Sequence, residues 1–132
     1  MKMKKVNPIY RSMFVVEFES NELSSKERNL LTEQVINISY DIEHNRAYIS
    51  FSLNEIKGKI QPLWILEKIN DDFNIEIQLH NKLGIILQKV KLIDCTIKSI
   101  SGIENLDYRD DGIMELNVEL VCSNIKRKLW SL

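Results

Sequence analysis

The sequence predicts a mainly β fold, an antiparallel β-sandwich or barrel with one packed α-helix. Three observations predict it. Residues 106–123, LDYRDDGIMELNVELVCS, open on the turn formers Asp111 and Gly112 and then alternate. Met114, Leu116, Val118 and Leu120 fall on one face, with Glu115, Asn117 and Glu119 on the other, the period-2 signature of a half-buried strand. The same alternation recurs in residues 34–42, 47–53 and 73–80. Only residues 61–70 carry apolar side chains at helical spacing, so helix is the minority element.

Each element follows from its residues. Residues 1–12 read as an arm, since Pro8 disfavours helix and charge at Lys2, Lys4 and Lys5 would keep it solvated. Residues 13–19, MFVVEFE, read as a strand with Phe14, Val16 and Phe18 on one face. Residues 20–32 read as a polar loop with a short helical turn capped by Ser24 or Ser25. The clearest hairpin pairs residues 34–42 with 47–53 across the turn Glu43, His44, Asn45, Arg46. Its inward positions are Ile36, Ile38, Tyr40 and Ile42 on the first strand and Ile49, Phe51 and Leu53 on the second.

Pro62 suits a first helical turn, and Leu63, Leu66 and Ile69 form a stripe widened by Trp64 and Ile65. Phe73, Ile75, Ile77 and Leu79 then alternate with Asn74, Glu76, Gln78 and His80. A turn ending at Gly84 leads to the apolar run 85–100, which exceeds an ordinary strand and predicts a bend or bulge near Ile93 and Asp94. Residues 125–132 read as a basic and apolar tail with Trp130. The chain therefore reads as a single domain, 1–132, of six or seven strands.

Composition bounds the function. A chain of 132 residues with 44% hydrophobic and 28% charged residues suits one soluble domain with a sizeable core. Net charge of −1 gives no whole-protein attraction to nucleic acid or anionic membrane. The N-terminus MKMKK is basic, but residues 6–11 supply no apolar core of a signal peptide, and no apolar run reaches membrane-spanning length. The reading is a cytoplasmic product. Cys95 and Cys122 stand outside any CxxC or Cys/His cluster and read as two buried reduced thiols, a cross-strand disulfide needing an oxidising compartment.

Catalytic signatures are missing. His44 and His80 lie at turns or strand ends with no nucleophile motif beside them, and GxGxxG, P-loop, HExxH and CxxC patterns are absent. The pairs Asp71–Asp72 and Asp110–Asp111 read as turn chemistry. Lys126, Arg127 and Lys128 beside Trp130 form the best local basic patch, read as a solvated tail or subunit contact. No catalytic residue, cofactor or metal is expected.

Several stretches resemble the tube-forming proteins of contractile phage tails. MFVVEF, following Asn7, Pro8 and Arg11, looks like the family's opening strand, and QVINISYD like the next. AYISFSLNE followed by PLWILEKI is similar to its strand-to-helix passage. FNIEIQL, the Gly84 turn and VKLIDCTIKSI fit the following pair, and GIENLDYRDDGIMELNVELV is similar to the closing strand. The match spans about residues 7 to 123.

The resemblance implies a structural virion protein that assembles as stacked hexameric rings. Sheets of adjacent subunits join around a lumen, a sheath and baseplate surround the tube, and DNA passes through without specific binding. The protein is then assembled in the host cytoplasm and located in the virion tail. Expected lumen-facing residues are Asn74, Glu76, Gln78, Glu115, Asn117 and Glu119. Expected subunit contacts are Ile9, Tyr10 and Trp130. The Glu43–Arg46 turn is short where many members carry a long loop to the next ring, which keeps a baseplate-proximal or tube-end role open. A related secretion tube and a small β-barrel binding module with a pocket near Trp64 are the other readings.

Overall fold

A computed structural model describes residues 14–56, 59–102 and 115–129. The elements run β1 (Phe14–Glu19), α1 (Ser25–Gln34), β2 (Val35–Asp41), β3 (Arg46–Ser52), β4 (Asn54–Ile56), β5 (Lys59–Gln61), α2 (Leu63–Leu66), β6 (Phe73–His80), β7 (Ile86–Ser101), β8 (Glu115–Val121) and β9 (Asn124–Leu129). The alternating segments are strands where the sequence predicts them. All described pairings are antiparallel.

The long strand β7 organises the sheets. Its first half pairs with β6 on one edge and β9 on the other, and its second half pairs with β8. One sheet is therefore β1-β6-β7-β9 and the other β7-β8-β3-β2. The predicted irregularity is present: Asp94 takes φ +51°, and the β6–β7 register shifts between Phe73 and Ile75. Asp94 suits such a site because its short polar side chain tolerates the left-handed region. The bend is tied down from both sides. The Asp94 N–H donates to Asn74 Oδ1 at 2.9 Å, and the Ser123 N–H to the Ile93 carbonyl at 2.9 Å.

The two sheets pack their apolar faces together. Val16, Phe18, Ile75, Ile77, Val90 and Leu92 come from the first sheet. Ala47, Ile49, Phe51, Leu116, Val118 and Leu120 come from the second. Phe18 and Phe51 meet across the core with ring centroids 5.9 Å apart. Sandwich architecture follows, with each sheet's polar face turned outward.

Helix content differs from the sequence reading. Ser25–Gln34 is a helix of 10 residues rather than a loop with a single turn. Ser24 and Glu27 form a reciprocal capping box, which satisfies two otherwise orphan donors. Leu31 is fully buried, with Leu23 buried just ahead of the helix and Leu30 half-buried. The predicted helix 61–70 contracts to one turn, Leu63–Leu66, followed by i→i+3 bonds from the Lys68 and Ile69 N–H groups. Its apolar stripe still reaches the core, with Ile65 and Leu66 buried and Leu63, Trp64 and Ile69 packed against it.

Three further differences concern strands. The described part of the expected tail, residues 125–129, belongs to strand β9 (Asn124–Leu129), whose register follows on from β8. Ile36 is exposed instead of inward, because a register shift between Val35 and Asn37 leaves it without a partner and sets Val35 opposite Phe51. Ile42 lies past the end of β2 and is exposed as well. The expected arm 1–12 and residues 106–114 of the closing segment fall outside the described residues.

Helix α1 and the turn before it are linked to the segment after α2 by carboxylates. Glu22 accepts from the Asn70 and Asp71 N–H groups at 2.8 and 3.1 Å, and Glu27 pairs with Lys68. The Asp71 and Asn70 N–H bonds hold the Glu22 carboxyl below its ordinary range. Lys68 and the Ser24 N–H do the same for Glu27. Depressed carboxylates stabilise the fold above the ordinary carboxylate range, and that contribution is lost as pH falls through their lowered values. The double variant Glu22→Gln/Glu27→Gln is therefore expected to flatten the acid limb of Tm against pH; an unchanged limb refutes the link. In urea unfolding, Phe51→Ala should cost about 3–5 kcal/mol. Tyr48→Ala on the outer face should cost about 0.5 kcal/mol or less.

Candidate assembly surfaces

The expected lumen-facing residues divide between two opposite faces. Asn74, Glu76 and Gln78 lie on the outer face of the β1-β6-β7-β9 sheet, and Glu115, Asn117 and Glu119 on that of the β7-β8-β3-β2 sheet. Because the apolar faces meet in the core, these outer faces point away from each other, and a single channel wall takes one triad. Glu76 is moreover buried, at 8% exposure, and pairs with Lys89 at 3.4 Å. Asn74 braces the Asp94 bend. Alternation in the sequence gave the correct side of the strand but not these local partners.

The first face is segregated by charge. Glu17 and Glu19 on β1 and Glu76 on β6 share it with Lys91 on β7 and Lys126 on β9, through the registers Glu17↔Glu76, Glu76↔Lys91 and Lys91↔Lys126. Of the basic patch, Lys126 and Lys128 lie on this strand face opposite Lys91 and Lys89, whereas Arg127, opposite Val90, lies on the other side of β9. Trp130, Ile9 and Tyr10, the expected subunit contacts, lie outside the described residues.

The second face is self-compensating. Glu119 lies 3.4 Å from Arg46 and 3.8 Å from Lys98, and accepts from the Ser99 hydroxyl at 3.3 Å. The Ser50 hydroxyl donates to Asn117 Oδ1 at 2.8 Å. Tyr48 and Val121 stand exposed on this face at 46% and 39%. A shallow depression lined by Tyr48, Ser50, Ser99, Ser101, Asn117 and Glu119 runs along it.

The sheet edges differ as much as the faces. Helix α1 covers β1: the Thr32 hydroxyl donates to the Val16 carbonyl at 2.6 Å. In the second sheet, β2 and residues 96–101 of β7 have no strand partner on their outward edges among the described residues. Sequence patterning does not report pairing partners, so these edges emerge only from the topology.

The remaining candidates have ordinary local roles. His44 Nδ1 lies 2.6 Å from Asp41 Oδ2 at the hairpin turn, an exposed pair that holds Asp41 below its usual range. Ligand atoms of Asp41, Glu43 and His44 come within 4.8 Å of one another. The sequence reading missed this convergence, which the DxEH spacing at a turn signals. His80 Nδ1 sits 3.2 Å from the Gly84 carbonyl. Lys68 lies over Trp64, 4.1 Å from the ring centroid. Among the described residues, no helix is long and apolar enough to cross a membrane.

Neither a protein-family model nor a curated protein sequence matches the chain. Solved structures do. The tube-terminating cap of the anti-feeding prophage aligns over 98% of this chain and 97% of its own, with 14% identity and TM-score 0.66. The sheath/tube terminator of PVC, an extracellular contractile injection system, aligns over 93% and 98%, with 13% identity and TM-score 0.66. Hcp1 from Flavobacterium johnsoniae aligns over 91% and 98%, with 10% identity and TM-score 0.55. The chain has the tail-tube fold.

Identity at this level makes the fold the shared property. In this version of the tail-tube fold, the turn between β2 and β3 occupies only residues 42–45. Glu119 sits between two exposed cations, so its pairs contribute little to stability. Glu119→Gln is expected to cost less than about 1 kcal/mol in urea unfolding. A loss of several kcal/mol would make it a structural rather than a surface residue.

Proposed function

We propose that this chain is a structural, ring-forming subunit of the tube, or of the tube end, in a contractile tail or injection system. The observation that carries the proposal is the β7-β8-β3-β2 sheet, with two edges that have no strand partner among the described residues and a charge-compensated outer face. Joining β2 of one copy to the 96–101 segment of β7 in the next extends the sheet without exposing new edges. Six copies closing on themselves give a ring whose inner wall carries Glu115, Asn117 and Glu119. Asn74, Glu76 and Gln78 then face outward, towards the side where sheath or baseplate partners lie.

A wall in which Glu119 is matched by Arg46 and Lys98 presents no cationic trap, so a polyanion such as DNA slides past it. The short turn after β2 favours the tube-end or baseplate-proximal form, since it gives little reach towards a following ring. Self-assembly supplies the activity, and the reading assigns no catalysis, cofactor or metal. The fold is shared with the cap and the terminator, and that likeness supports the reading.

Light scattering with negative-stain microscopy on the purified full chain tests it. Six-fold rings or short stacks are expected. Ile36→Lys places a charge on the β2 edge at an exposed position and should shift rings to monomers while circular dichroism stays unchanged. A monodisperse monomer at high concentration, with Ile36→Lys indistinguishable from it, opposes spontaneous ring formation. Rings that survive Ile36→Lys oppose β2 as the joining edge.

A further inference from the structure

Cys95 and Cys122 lie at the β7 bend, both buried and both free. Their Sγ atoms are 3.4 Å apart. The register runs from Thr96↔Val121 to Ile93↔Asn124, which sets Cys95 directly opposite Cys122. The Cys122 N–H points away from β7 and donates to the Asn45 carbonyl at 2.8 Å. Opposed residues without their own backbone bonds bring their side chains closest, with Cα atoms about 4.5 Å apart. That separation lies inside the range disulfides span. Closing the sulfurs to about 2.0 Å therefore calls for side-chain rotation, not strand movement.

The pair has no competing role among the described residues. The group of side chains able to converge on a metal, Asp41, Glu43 and His44, contains neither cysteine. The two thiols are also unlike each other. Hydrogen bonding between them, together with burial, pushes Cys95 up, while the bond from Cys95 draws Cys122 down. Cys122 is also the more exposed, at 4% against 0%. That small difference in burial is why Cys122 is assigned the first step below.

We propose that Cys95 and Cys122 are a peroxide-sensitive modification site, closing to a cross-strand disulfide that staples the bend shared by the two sheets. Cys122 loses its proton, and its thiolate attacks one oxygen of hydrogen peroxide. The O–O bond breaks, and the departing hydroxide takes up a proton as water, leaving a sulfenic acid. The Cys95 sulfur then attacks the Cys122 sulfur. The S–S bond forms, the S–O bond breaks, and the leaving hydroxide carries the Cys95 proton away as a second water. Two thiols are oxidised by two electrons, and one peroxide is reduced to two waters. Because both sulfurs are buried, the oxidant proposed is a small one, hydrogen peroxide. All of this occurs within one chain and is independent of ring assembly.

The test treats the full chain with hydrogen peroxide and maps its peptides under non-reducing conditions after thiol alkylation. The expected product is a link within one chain, with the Cys95 and Cys122 peptides joined and neither alkylated. Its Tm should rise by roughly 5–10 °C, and a dithiol reductant should reverse both changes. Cys95→Ser removes the second sulfur, so Cys122 should instead gain oxygen. The proposal is overturned if both wild-type cysteines remain alkylatable after peroxide. It is equally overturned if they gain oxygen without linking, or if they link only between chains.

Discussion

The bend at Asp94 and Ser123 is the constraint on which the architecture rests. β7 has 16 residues, well beyond the five or six of an average strand, and only the bend lets one strand serve two sheets. Before it, β7 offers Val90 and Leu92 to the layer that holds Val16 and Ile77. After it, the partner is β8, with Leu116, Val118 and Leu120. Phe18 meets Phe51 because the two layers have been folded face to face. The left-handed backbone at Asp94 carries a conformational cost, offset by the Asn74 side chain and the Ser123 backbone bond that close around it.

The two outer faces express different chemistry on one scaffold. On the β1-β6 side, acidic residues gather next to lysines of β7 and β9, so the surface has a charge gradient across strands. On the β3-β8 side, Glu119 is surrounded by Arg46, Lys98 and the Ser99 hydroxyl, and the field largely cancels within one side chain's reach. A graded face suits orientation of a charged partner, whereas a cancelled face suits passage without retention. In the proposed ring, that contrast is the reason for giving the Glu115, Asn117 and Glu119 face to the channel.

Much of this fold was legible in the sequence, and the illegible parts have physical causes. Alternation identified the β3, β6 and β8 faces because each strand buries one side. The excessive length of the apolar run exposed the bend near Ile93 and Asp94. Helix α1 escaped because its exposed surface is almost wholly polar, and its stability comes from the Ser24 and Glu27 cap and from Leu31 rather than from a broad apolar stripe. Ile36 misled because a single unpaired residue reverses the sidedness that alternation assumes. The candidate surfaces were half legible. Which residues point outward follows from periodicity, but that Asn74, Glu76 and Gln78 oppose Glu115, Asn117 and Glu119 depends on sheet membership, which no local pattern encodes.

Helix α1 has one more effect, through its hold on β1. The Thr32 hydroxyl occupies the Val16 carbonyl, an acceptor that an incoming strand would otherwise use. An open strand edge templates whatever extended chain it meets, including partly folded copies of the same protein. Covering β1 therefore limits mispairing between copies of the chain. If copies of the chain join through strand edges, as proposed, that cover also restricts where joining occurs.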